Sequence, residues 1–202
     1  MLWWSIGLRT GRISGKIRPV RARGPIGPGQ AKTDGKDQAK QRGAGVKLTS
    51  KQDIDAPAAF VLGQLTDFES WERAAMRRGI EVDRTDKLTA PGAGMAWTTK
   101  FRYRGRDRRL SIKVEKIDPE GQVWFSMTSA LADGTMSIEI VAMAAKSSRA
   151  FVSIEILPKT FTAKLFVQSL KLAKSRVDKK LAQRTLALAA EIEQRYRRSQ
   201  AV

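Results

Sequence analysis

The chain has 202 residues, a formal net charge of +18, 42% hydrophobic residues, and neither cysteine nor histidine. Those absences exclude thiolate nucleophiles, disulfides, histidine general bases and Cys/His zinc sites, and no cofactor is expected. The length suits one domain with an appendage, and no apolar run nears the ~20 residues that cross a bilayer, so the chain reads as soluble with the cytoplasm as its default compartment.

The charge is unevenly placed. Lys and Arg exceed Asp and Glu by eight over residues 1–45, by two over 46–158 and by eight over 159–202. A basic excess confined to a tail and a helix points either to an anionic partner surface or to a solvated face.

Residues 1–45 combine scattered Gly, Pro and Arg with no acid before Asp34, a composition that offers no packed face and predicts disorder. Their Arg-rich, acid-poor opening resembles an organellar import presequence, but a start-site artefact, with translation beginning at Val46, is the preferred reading. Residues 46–202 then form the domain.

Residues 47–54 have strand character and run into Asp55-Ala56-Pro57, where Asp can cap and Pro can occupy a first helical turn. Ala58, Phe60, Val61, Leu65, Phe68 and Trp71 recur at helical spacing, and Thr66-Asp67 suits an internal N-cap, which predicts two short helices ending by Gly79. Beyond Gly79 the pattern alternates, with strands expected at 80–85, 95–104, 109–117, 122–131, 135–145 and 150–157. The connections Gly105 to Arg108, Asp118 to Gly121, Asp133-Gly134 and Ser147-Ser148 are short enough for hairpins, so the sheet is an antiparallel meander.

Loop length sets register, and register decides which side chains share a face. The loops predict Phe101 opposite Ile112, Val114 opposite Phe125 and Met127 opposite Ile140, which aligns four strands on one apolar face. The last hairpin leaves two registers open: a two-residue turn faces Glu155 inward, and a three-residue turn substitutes Ile154 and Ile156. From Pro158 to about Arg198 there is no Gly or Pro, and Phe166, Leu170, Ala173, Val177, Leu181, Leu188 and Ile192 form one stripe, predicting a single long amphipathic helix. Such a helix is about 60 Å long, against about 33 Å for a ten-residue strand, so it must overhang, bend or fray.

Strand, two short helices, six-strand meander and long closing helix, with the wording Ile54-Asp55-Ala56-Pro57-Ala58 and Leu65-Thr66-Asp67-Phe68 followed by Trp71, resemble the START/SRPBCC superfamily. The resemblance implies an α+β helix-grip fold, a curved antiparallel sheet of about seven strands wrapped around a long C-terminal helix. It also implies an apolar ligand, such as a lipid, quinone or polyketide-like molecule, held between sheet and helix. Some members are cyclases or hydrolases. After Trp71 this chain reads Glu72-Arg73-Ala74-Ala75-Met76, which departs from the superfamily's commonest wording.

On that reading Trp97, Phe101, Tyr103, Ile112, Val114, Phe125, Met127 and Ile140 of the sheet, with Phe166, Leu170 and Val177 of the helix, are the candidate ligand-binding residues. They serve equally as ordinary core. Glu155 is the one candidate acid, and no metal ligand set is present. Carriage of an apolar molecule is therefore the first reading and catalysis on such a molecule the alternative. A basic membrane-surface or RNA-associated accessory role is the third. Nucleic-acid binding rests on Arg102, Arg104, Arg106, Arg108 and Arg109 without a recognised module, so a solvated sheet face is preferred. Membrane contact rests on Phe161, Leu165, Leu172 and Leu186 flanked by Lys164, Lys171, Arg176 and Lys179, although packing of Phe161 and Leu165 under the strand ends is preferred. Oligomeric state has no signature.

Overall fold

The computed structural model describes residues 45–103 and 105–201, and the side chain of Tyr103 falls outside them. The expectations for the first 44 residues lie outside the described part. In chain order the elements are β1 (Val46–Ile54), α1 (Ala58–Thr66), α2 (Phe68–Met76), β2 (Glu81–Arg84), β3 (Ala96–Tyr103), β4 (Arg106–Asp118), β5 (Gln122–Thr128), β6 (Ala132–Ala144), β7 (Ser147–Pro158), α3 (Phe161–Leu172) and α4 (Lys174–Gln200). The strands form one seven-stranded antiparallel sheet in the order β1-β7-β6-β5-β4-β3-β2.

Pro57 stands at the N-cap of α1 with φ −58°, so its ring presets the entry, and Asp55 does not cap. The Asp55 backbone N–H instead donates to Glu193 of α4 at 3.0 Å. Asp67 does cap α2: its carboxylate accepts from the Ser70 N–H at 3.1 Å, and the expected break between two short helices falls there.

Val114 pairs with Phe125 and Ile112 with Met127 as expected, but by another route: the turn closes with Asp118 opposite Gln122, and a bulge between Val114 and Lys116 shifts the register back. Two other hairpins differ. Phe101 pairs with Arg108 rather than Ile112, because β4 begins at Arg106 and Gly105, at φ 75°, lets the chain reverse in a shorter connection. Met127 pairs with Gly134 rather than Ile140. The turn there is closed by Ser129, whose hydroxyl donates to the Ala132 carbonyl at 2.8 Å, and Asp133-Gly134 lies inside β6. Gly134 instead eases a close approach, since a Cβ at that position would lie 3.1 Å from the Glu155 carbonyl oxygen, a tight contact.

The last hairpin combines a short turn with a bulge between Ala142 and Ala144. One extra residue changes the parity of everything beyond it. Ile154 and Ile156 therefore point inward, 0% and 7% exposed, and Glu155 lies on the opposite face between Thr135 and Lys47. The candidate acid is thus corrected: Glu155 is an outer-face residue with no access to the interior.

The single closing helix is also corrected. α3 ends at Ala173 (φ −96°, ψ 15°) and α4 begins at Lys174, giving segments of 12 and 27 residues. At 1.5 Å per residue α4 is about 40 Å long. The Ser169 hydroxyl donates back to the Phe166 carbonyl at 2.7 Å, a local bond that competes with the helical ladder and favours bending. Val177, Leu181, Thr185, Ala189 and Ile192 form the buried stripe of α4. It packs against β1, where the Ser50 and Thr185 hydroxyls meet at 2.7 Å. Phe166, placed in that stripe by period alone, is 42% exposed because it precedes the break.

Candidate ligand-binding site

The two helical layers divide the sheet between them. α4 covers the β1, β7 and β6 end, where Val61 of α1 joins Ile138, Ile140, Val152, Leu188 and Ile192 around a void of about 20 Å³. That is room for little more than one water, and its apolar walls offer none a partner. This half of the interior is solid.

The other half is not. Between α2 and strands β2 to β6 lies a cavity of about 110 Å³. Phe68, Trp71, Glu72 and Ala75 recur at i, i+3, i+4 and i+7, so one face of α2 supplies its roof. The floor comes from the inward rows of the sheet: Val82, Trp97 and Thr99, then Ile112, then Val123, Phe125 and Met127, then Met136 and Ile138. Ile112, Phe125 and Met136 are apolar and inward yet only half-buried, because they border this space. Arg78 is exposed and also borders it, which places the mouth at the α2–β2 turn.

Three rings hold the cavity open. Phe68 packs on Trp97 with centroids 5.2 Å apart and meets Phe125 edge-on at 6.2 Å, the tilted and T-shaped geometries that aromatic quadrupoles favour. Trp97 is fixed further by its indole N–H, which donates to Glu72 Oε1 at 2.6 Å. The other Glu72 oxygen has no hydrogen-bond partner among the described residues. Thr99 is buried, and its hydroxyl is consumed by the Leu110 carbonyl at 2.9 Å. Among the described residues, the polar groups of the wall without a hydrogen bond are therefore one oxygen of Glu72, whose charge also acts on Arg84, and, at the mouth, the Arg78 guanidinium.

The start of β3 is tied down beside this site. Asp86 accepts from Arg84 through both carboxylate oxygens at 3.0 Å, from the Leu88 N–H at 2.8 Å and from the Ala96 N–H at 2.9 Å. The Arg84 hydrogen bonds, with the two backbone N–H groups, hold its carboxyl well below the usual carboxylate range. The residue after Ala96 is Trp97, so this knot fixes the wall.

Of the residues chosen from the sequence, Trp97, Ile112, Phe125 and Met127 come together in the cavity wall. Val114 is fully buried beside Phe68, Met95 and Trp97, behind the wall. Ile140 borders the small void under α4. Phe101, Leu170 and Val177 pack into the main core, and Phe166 reaches solvent. Tyr103 lies outside the described side chains. The cavity is thus displaced from the expected place under the C-terminal helix to the space under α2. Phe68, Trp71, Glu72 and Ala75 were missed as site residues, although their spacing puts an acid on an otherwise apolar helix face.

No family model matches the sequence, and no curated protein matches it. Solved structures do match its fold. The Zhui aromatase/cyclase of Streptomyces sp. R1128 superposes with a TM-score of 0.54 at 10% identity, over 75% of this chain and 95% of that one. A protein from Thermus thermophilus gives 0.53 at 13% identity, over 76% and 99%. A norcoclaurine synthase point mutant from Thalictrum flavum, in complex with a transition-state analogue, gives 0.52 at 11% identity, over 73% and 95%. The chain therefore shares the helix-grip fold of these structures, a curved antiparallel sheet with a long C-terminal helix. At these identities the shared property is the fold.

Proposed function

We propose that the protein binds a small apolar molecule, presenting a ring-sized portion and a hydrogen-bond donor, in the cavity between α2 and the sheet. The observation that carries this reading is the unfilled apolar space beside an unused Glu72 oxygen. Its about 110 Å³ compares with the ~150 Å³ apolar void that takes up benzene in an engineered protein, and is well below the ~300 Å³ lower bound for a drug-sized site. One ring or a short branched chain fits, and a larger molecule leaves the rest at the mouth beside Arg78. An amine or hydroxyl complements Glu72, whereas a carboxylate placed there meets repulsion.

The test is native mass spectrometry of protein purified from its own host, together with titration of substituted phenols and anilines followed by tryptophan fluorescence. Saturable binding that Glu72→Gln weakens supports the reading. Absence of any co-purifying molecule, with no saturable binding of these probes, overturns it. A catalytic reading rests on the same Glu72, and two fold neighbours carry enzyme names. One acid supplies half of an acid–base pair, so binding is the stronger reading.

A further inference from the structure

α3 has two apolar sides, and the core uses one of them. Ala163 and Val167 are buried, 6% and 1% exposed. At 100° per residue Phe161, Leu165 and Leu172 fall within about 40° of arc on the opposite side of the helix from Ala163. They are 74%, 57% and 92% exposed, so the preferred packing of Phe161 and Leu165 beneath the strand ends is overturned. Phe166, about 120° round the helix from this crest, is 42% exposed. Hydrophobic residues on the crest of a helix, at its farthest from the core, do not stabilise the fold.

The charge carried by α3 itself is of one sign, Lys164 and Lys171 with no acid. From Lys159 to Val177 the chain has Lys159, Lys164, Lys171, Lys174 and Arg176 and no acid. Lys159 pairs with Asp133 and Lys174 with Asp178, both outside that stretch. A second copy docked crest to crest would set Lys164 of one copy against Lys164 of the other, with no acid on either α3. An interface bearing phosphates complements the same pattern, with the apolar crest entering the boundary between headgroups and acyl chains.

We propose that α3 is an in-plane docking helix for a bilayer surface containing anionic phospholipid, with Phe161, Leu165 and Leu172 inserting and Lys164 facing the headgroup phosphates. This surface is separate from the cavity wall, none of whose residues lies on α3. The experiment is vesicle flotation of the full chain on phosphatidylcholine with and without phosphatidylglycerol, for wild type, Leu165→Ser/Leu172→Ser and Lys164→Glu. The proposal expects binding only to the phosphatidylglycerol vesicles, weakened about tenfold or more by each variant, with melting temperature and cavity-probe binding unchanged. Residues 1–45 also carry excess positive charge, so the α3 variants rather than the lipid dependence are diagnostic. Unaltered flotation of the double variant overturns the proposal, as does failure of wild type to bind. A wild-type dimer in sedimentation that the double variant dissolves also overturns it and assigns the crest to self-association.

Discussion

Filling the cavity should stabilise the protein and abolish its binding capacity at once. Ala75 borders the cavity from the last turn of α2 and is 8% exposed. Leucine at that position adds three carbons, worth about 0.8 kcal/mol each when buried, or about 2.4 kcal/mol. The void gives an independent ceiling: about 110 Å³ at about 24 cal/mol per Å³ is about 2.6 kcal/mol. Helix propensity barely changes between the two residues. Ala75→Leu is therefore expected to raise the urea-unfolding free energy by up to about 2 kcal/mol and to lower the affinity of an apolar fluorescent probe about tenfold or more. Ala74 is the control, on the same helix and equally buried at 8% but absent from the cavity wall. Ala74→Leu is expected to overpack and lose about 1–3 kcal/mol. If both leucines destabilise alike, and probe affinity is the same in all three proteins, the space beneath α2 does not accept atoms and the binding reading falls with it.

Three further outcomes are expected. Glu72→Leu strips the buried Trp97 indole of its acceptor and should cost about 1–3 kcal/mol in urea melts, whereas Glu72→Gln keeps a carbonyl acceptor and should cost less. Asp86 has a folded pKa depressed below the ordinary 3.8, so the unfolded chain takes up the proton first and the stabilisation is lost as pH falls from 3.8 through the lower folded value; Asp86→Asn should melt below wild type at neutral pH, with the gap closing below pH ~4. Gly121 sits at φ 108° with a built Cβ only 2.5 Å from the Ile140 carbonyl oxygen, so Gly121→Ala should lose more than about 1 kcal/mol, read as a lower urea midpoint with unchanged slope.

The faces of the sheet were legible in the sequence even where the pairings were not. Side chains alternate with period two, so a register displaced by an even number leaves every residue on its own face. Phe101 moved from Ile112 to Arg108 and Met127 from Ile140 to Gly134, yet both remain on the inner surface that alternation gave them. The errors came from loops, where Asp133-Gly134 carries the strongest hairpin wording and the fold uses its glycine for close packing instead. An odd displacement is the dangerous kind. The bulge between Ala142 and Ala144 supplies one and decides the side on which Glu155 falls, and nothing in that stretch marks a bulge in advance. The break at Ala173 was equally silent, since it uses neither Gly nor Pro.

What local pattern could not supply was the pairing of layers. A period of 3.6 shows that a helix has an apolar face and does not say which strands that face meets. Two helical layers compete for one sheet here, and α4 is drawn to the β1 end, where Leu48, Ile154 and Leu181 pack with at most 1% exposure. The rows of β3 to β5 are left to α2, a helix of nine residues whose inner face offers two large rings and then alanine. Phe68, wedged between Trp97 and Phe125, sets the height of that helix above the sheet, and Ala75 is too short to reach down from it. The void is thus the consequence of large residues at one end of a short helix and a small one at the other. Glu72, between them, is placed on the wall of the space they create.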